Sequence, residues 1–425
     1  MKKSLLFSFM VAGLVMMSSC TKEKVIVMDG DDSNAAQQIV LQVANTGDGL
    51  QTRAGRPLYS SEAKQSVENV KVIICNKADN KVAYVDNIDS WNNVSTAYNT
   101  NGHGREKLLT LKNKLEAGSY VAYAFAYHST TDYSNLSTAI AGVAKDGIFN
   151  PNTALTLKDG VKGEEIFAGS VEFAVTKGVG FKRPIVLNRQ VAGTFGYFEA
   201  IPYIDGANKL QLVASTRNQD LVLGQFHNLD LTENGTGYSP YFVVNGANAA
   251  TDKVIYEINL NEWFTNIEDK DKDGLIDTDS WKNPYESNGA KFKTGSVFGG
   301  TFLVPFAKTT EPTFVLKLVK DNVDAVQTWT IKLPETDKQT ANNYTLYSWD
   351  GSKFAENKLA KDDVKIYNVV RNHLYGIGTK TKDGEVVPPE NPDPDTPEPL
   401  KKKQELTLRV NDNWDIIHKL EIEED

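Results

Sequence analysis

The stretch from Tyr120 to Tyr127 limits what this chain can fold into more than any other. Val121, Tyr123, Phe125 and Tyr127 alternate there with Ala122, Ala124 and Ala126, so one face is bulky and the other small. Alternation with apolar residues on both faces predicts a strand covered on both sides, central in a β-sandwich. Shorter runs of the same kind recur on either side: Ile39 to Val43, Val70 to Cys75, Val82 to Val85, Leu108 to Leu111 and Val171 to Val175, then Leu210 to Ala214, Val254 to Leu260, Phe298 to Val304 and Phe314 to Val319. Gly, Asn and Asp turns separate them. That spacing predicts an all-β chain of two sandwich domains, residues 54–187 and 188–382, with one short helix expected over Leu136 to Ala144. No repeat of fixed period is visible, which disfavours solenoids and propellers.

The net charge of -9 over 425 residues argues against a nucleic-acid partner, which calls for a basic stripe. At the amino terminus Lys2 and Lys3 precede an apolar run from Leu5 to Met17, and Ser18 and Ser19 lead into Cys20. This resembles a bacterial lipobox, with residues 1–19 as the signal peptide and Cys20 as the thiol that receives the lipid. The expected form is a lipoprotein held at a membrane surface by acyl chains. With Cys20 acylated, only Cys75 is left, so no disulfide within the chain is expected. Cys75 closes the run Val72 to Cys75 and reads as a small buried hydrophobe.

At the other end, Pro388, Pro389, Pro392, Pro394, Pro397 and Pro399 are interleaved with Glu390, Asp393, Asp395 and Glu398. Prolines fix φ and the carboxylates repel, so residues 383–403 are expected to form an extended acidic linker. At about 3.1 Å per residue, roughly 20 residues reach on the order of 60 Å, more than one domain. Residues 404–425 follow as a long amphipathic strand. Its oily face holds Leu406, Leu408, Val410, Trp414, Ile416, Leu420 and Ile422, with Asp412 reading as a break between two halves. Burying those seven contributes on the order of 10 to 20 kcal/mol, about what ordering the backbone costs. Insertion therefore also needs a ladder of main-chain hydrogen bonds in a preformed groove. The linker permits an edge in the same molecule or in another.

Near the other terminus, Ile39, Leu41 and Val43 form a shorter strand of the same pattern. It ends residues 20–53, a propeptide whose closing loop carries Arg53-Ala54. A trypsin-like protease cuts after Arg53, whereas Pro57 protects the bond after Arg56. Cleavage would release lipid and first strand together. While tethered, that strand fills its own groove at an effective concentration of order millimolar.

Taken together, the lipobox, the Arg53 loop, the stretches Asn188 to Ala192, Gly299 to Pro305 and Tyr367 to Tyr375, and the Trp414-containing tail resemble FimA-type fimbrillins, the type V pilus major subunits of Bacteroidales. The proline-rich linker and late tail look closest to the short-fimbria major subunit. The resemblance implies two transthyretin-like β-sandwich domains plus a tethered C-terminal donor strand. It further implies export through the periplasm as a palmitate-bearing lipoprotein of the cell outer membrane, maturation by an Arg-specific protease, and homopolymerisation with copies of the same chain by donor-strand exchange, beside minor tip and anchor subunits. An anchor lacks the cleavable Arg and a tip lacks the donor strand. This chain has both, which implies a stalk subunit of an adhesive fimbrium.

Asp269, Asp271, Asp273, Gly274 and Asp277 match the first nine positions of a calcium loop, but Ser280 stands where a bidentate Glu belongs. A structural Ca²⁺ and an ordinary acidic turn both fit this pattern. His103, His128, His227, His373 and His418 show no metal or triad spacing, and there is no phosphate loop or nucleophile elbow, so no catalytic residue and no enzyme activity is expected. Trp91, Trp263, Trp281 and Tyr285 could serve a sugar platform or the core. The rival reading is a surface-anchored carbohydrate-binding lipoprotein with its terminal strand folded in cis.

Overall fold

The computed structural model describes residues 36–44, 67–97, 104–226, 229–231, 238–286, 290–307, 314–320, 325–332, 343–360, 368–380, 396–402, 405–407 and 409–411. Cys20, the Arg53-Ala54 bond, Gln404, Leu408, Trp414, Ile416, Leu420 and Ile422 lie outside the described residues, as do His103, His227, His418 and most of the acidic linker.

The chain is all-β. The first half supplies β1 (Gln37–Ala44), β2 (Asn69–Asn76), β3 (Val82–Ile88), β4 (Thr96–Ala97), β5 (Gly104–Thr110), β6 (Gly118–Tyr127), β7 (Ala154–Thr156), β8 (Phe167–Val175) and β9 (Phe181–Arg189). These make one eight-stranded sheet in the order β3-β2-β6-β8-β9-β1-β5-β4, with β7 elsewhere. Its two four-strand halves form the two sheets of a sandwich, joined where Phe167 and Ala168 pair with Arg189 and Asn188. Near that corner Gly169 has no room for a side chain, because a Cβ there would collide with the Val186 carbonyl.

The bulky and small faces of β6 have separate uses. Ala122, Ala124 and Ala126 face Ile39, Leu41, Val72, Ile74, Ile185 and Leu187 in the core between the sheets. Small side chains on this central strand let the sheets pack closely. Val121, Tyr123 and Phe125 face a second core with Phe149, Leu155, Leu221, Phe226 and Val304, which draws in elements from the other half. β6 lies between β2 and β8, buried on both faces as its alternation predicts. Over the expected helix the chain makes one turn of π-helix, Ser137–Ala141, with Ile140 buried.

The second half supplies β10 (Ala192–Glu199), β11 (Ala207–Ala214), β12 (Asn218–Val222), β13 (Leu229–Leu231), β14 (Tyr238–Val244), β15 (Gly246–Ala249), β16 (Val254–Asn259), β17 (Val297–Leu303), β18 (Phe314–Lys320), β19 (Ala325–Lys332), β20 (Asn343–Trp349), β21 (Phe354–Ala360), β22 (Leu374–Ile377), β23 (Glu398–Pro399), β24 (Glu405–Thr407) and β25 (Arg409–Asn411). Sheets β17-β10-β22-β25 and β16-β11-β18-β19-β24 enclose Phe195, Tyr197, Leu210, Leu316, Trp329 and Phe298. Gly376 is required in β22 because the Phe195 ring occupies the space of its Cβ. The smaller sheets β15-β12-β7 and β13-β14-β20-β21 complete the fold.

Two of the stretches behind the family resemblance meet at the junction of the halves. Arg189 Nε donates to Glu165 Oε1 at 2.8 Å, both side chains fully buried, and its guanidinium covers the Phe167 ring. Arg371 donates to Gln190 Oε1 at 2.9 Å and to the Gly224 carbonyl at 2.8 Å, and also to the Gln225 carbonyl. Burial lowers the Arg371 pKa, and these acceptors hold its charge. Asn372 takes the left-handed conformation, φ 57°, which Asn tolerates better than most residues. Its N–H donates to the Val191 carbonyl, fixing one stretch against the other.

Candidate strand-exchange site

β1 fills a slot between two strands from elsewhere in the chain. It runs parallel to β9, from Gln37 beside Phe181 to Val43 beside Leu187. It runs antiparallel to β5, from Gln38 opposite Thr110 to Ala44 opposite Gly104. Ile39, Leu41 and Val43 are 0% exposed. At about 1.5 to 3 kcal/mol each, their burial contributes roughly 5 to 9 kcal/mol. Removing β1 would also open hydrogen-bonding edges on both β5 and β9, which makes the slot an acceptor for another strand.

Polar contacts fix the register of β1. The Gln37 side chain is buried, with Nε2 donating to the Leu115 carbonyl at 3.1 Å and Oε1 accepting from Leu115 N–H at 2.7 Å. On the outer face Gln38 Nε2 donates to Thr110 Oγ1 and Gln42 Nε2 to Glu106 Oε2, each at 3.2 Å. The three apolar positions were legible from alternation, whereas the glutamine contacts depend on residues 64 to 78 positions away and left no local signal.

The described parts of the terminal segment, residues 396–402, 405–407 and 409–411, are seated in cis. Thr396 and Thr379 exchange backbone hydrogen bonds at 2.8 Å, and β23 runs parallel to the end of β10. Leu400 is buried, with its carbonyl accepting from Trp329 Nε1 at 3.2 Å. β24 adds parallel to β19 and places Leu406 in the core, whereas β25 adds antiparallel to β22 in the facing sheet. One sequence expectation changes here. Residues 396–402, expected in the free linker, belong to the body, because the proline-carboxylate alternation gives way to an apolar anchor at Leu400. β24 and β25 lie in different sheets, while the break expected at Asp412 lies outside the described residues.

The acidic loop brings the carboxylates of Asp269, Asp271 and Asp273 within 4.8 Å of one another. The loop is tight: Asp269 accepts from the N–H groups of Asp273 and Gly274, and Asp277 Oδ2 accepts from Lys270 N–H at 2.8 Å. These donors fit the first half of a calcium-binding set. Ser280 instead donates to the Asn266 carbonyl, and Lys401 lies 3.4 Å from Asp273 Oδ2.

Of the four candidate platform aromatics, Trp91 and Trp263 are buried, while Trp281 and Tyr285 are half-buried against the C-terminal core. His128 pairs with Glu68 at 3.2 Å, and His373 Nδ1 lies 2.8 Å from the Arg371 carbonyl.

No protein-family model matches the sequence, and no curated protein matches it. Among solved structures, the chain is similar to the tip fimbrial protein Mfa3 from Porphyromonas gingivalis, at 10% identity and a TM-score of 0.38, covering 82% of this chain and 96% of that one. It is similar to the fimbrial anchor protein Mfa2 from the same organism, at 10% identity and 0.34, covering 79% and 100%. A candidate cell adhesion protein from Parabacteroides distasonis gives 10% identity and 0.39, covering 88% and 96%. Likeness of this degree assigns no role to the chain.

Proposed function

We propose that this chain is a stalk subunit of a surface fimbrium, which it builds by donor-strand exchange in support of adhesion. It reaches the cell surface as a lipoprotein anchored through Cys20. A protease specific for Arg cuts after Arg53, which ends the covalent tether of β1. β1 leaves, and the terminal strand of a second copy takes its place. Tip and anchor subunits complete the fibre.

The observation that carries this reading is the placing of β1. An inner strand of the sheet, buried on its apolar face, is supplied by the segment just before the Arg53 loop. Cutting that loop turns β1 into a separate chain, losing the effective concentration that kept it home. The proline-rich linker and alternating tail provide the replacement strand, and residues 396–402 leave the body with it, so that the linker gives it the reach to leave its own domain.

The second reading, a glycan-binding lipoprotein, has in its favour the cis seating of residues 405–407 and 409–411. Against it, the aromatics that would form its platform pack into the protein.

Limited trypsin treatment of the purified precursor separates the two. SDS-resistant ladders should form with the wild type and fail with Arg53→Ala and with a chain truncated after Gln404. Ladders in either variant would sink strand exchange.

A further inference from the structure

We infer that residues 404–410 replicate residues 37–43 and enter the slot of a neighbouring copy in one register, Gln404 in place of Gln37 through Val410 in place of Val43. This rests on the strand-exchange reading and specifies its partner as a second copy of the same chain.

The two segments read Gln-Gln-Ile-Val-Leu-Gln-Val and Gln-Glu-Leu-Thr-Leu-Arg-Val. Gln37, Leu41 and Val43 recur as Gln404, Leu408 and Val410, and Ile39 becomes Leu406. Gln404 has the same side chain as Gln37, which bonds both the N–H and the carbonyl of Leu115. Leu406, Leu408 and Val410 take the three core positions.

The outward differences match the slot's walls. Position 38 lies between Thr110 on β5 and Lys182 on β9, and the donor brings Glu405 there. Position 42 lies beside Glu106, and the donor brings Arg409. β1 has neutral glutamines at both places, so the incoming strand adds two charge pairs that the departing strand lacks.

Other registers fail on their own terms. A one-residue slip turns the apolar face outward. A two-residue slip one way puts Gln404 at the fully buried Ile39 position and Glu405 beside Leu108 and Pro184. A slip the other way buries Asp412 at the Val43 position, an unpaired charge in a core. The polar residues bracketing Leu406 to Val410 therefore fix the alignment.

Charge exchange tests this in the full-length precursor cut after Arg53. Glu106→Arg alone and Arg409→Glu alone should each slow ladder growth about 3- to 10-fold, as expected when one exposed pair becomes repulsive. The double variant should return to within about twofold of wild type. Cysteine trapping provides a readout independent of any effect of these changes on folding. Glu106→Cys combined with Arg409→Cys should yield disulfide-linked copies, and Glu106→Cys combined with Thr407→Cys should not. Wild-type ladders without rescue by the double variant, or with trapping through position 407, would overturn the register and leave strand exchange standing. Absence of ladders in the wild type would overturn both.

Discussion

Leu41 and Leu408 are assigned the same place at different times, so truncating each should affect opposite forms of the protein. Leu41 is 0% exposed between Leu187, Ile185 and the alanine face of β6. Leu41→Ala removes buried methyl groups from a packed sandwich and should destabilise the precursor by about 2 to 5 kcal/mol. With a urea dependence of about 2 kcal/mol per molar, the midpoint of the N-terminal sandwich should fall by about 1 to 2.5 M. Trp91, buried in the same core, reports that transition by fluorescence. The polymer should be unaffected, because it no longer contains β1, and exchange after cleavage should be faster because the departing strand is held less tightly. Leu408→Ala should do the reverse, leaving the precursor's N-terminal transition in place and lowering the temperature at which SDS-treated ladders dissociate. Equal weakening of precursor and polymer by Leu41→Ala would refute the reasoning.

Glu165→Ala should cost about 3 to 5 kcal/mol by chemical denaturation, since it strands the buried Arg189 guanidinium. Stability should decline as pH rises from about 9 towards 12. Burial pushes the Cys75 thiol up to about 11 and the Tyr84 and Tyr123 hydroxyls up to about 12. Each folded pKa is raised, so the unfolded chain gives up its proton first, and the stabilisation present below the unfolded pKa is lost through this window. A denaturation series showing constant or rising stability there would contradict the assignment. Calorimetric titration of the full chain with calcium chloride should give a heat that Asp271→Asn removes, and no heat would take the ion out of the account. Trp414→Asp should block ladders as truncation does, by putting a charge into the acceptor groove.

The sequence made the local periodicities legible and left the long-range polar contacts hidden. Tyr120 to Tyr127 announced a doubly covered strand, because each face carries its own size class of side chain. Ile39, Leu41 and Val43 marked β1, although nothing local showed that it would lie between β5 and β9. Composition alone was a poor guide to where the linker ends, because Leu400 docks under Trp329 while the prolines around it look extended. Arg189, Glu165 and Asn372 could not be brought together from sequence, since Arg189 and Asn372 are 183 residues apart and a buried ion pair has no periodicity.

The central claim, that the polymer is built from chains whose first strand has been replaced, is tested most directly by the mass of the subunits inside SDS-resistant ladders. Intact-mass spectrometry of ladders dissociated by heat should find chains beginning at Ala54, with no fragment containing residues 37–43. Ladders whose subunits retain that segment, joined or cut, would contradict the account.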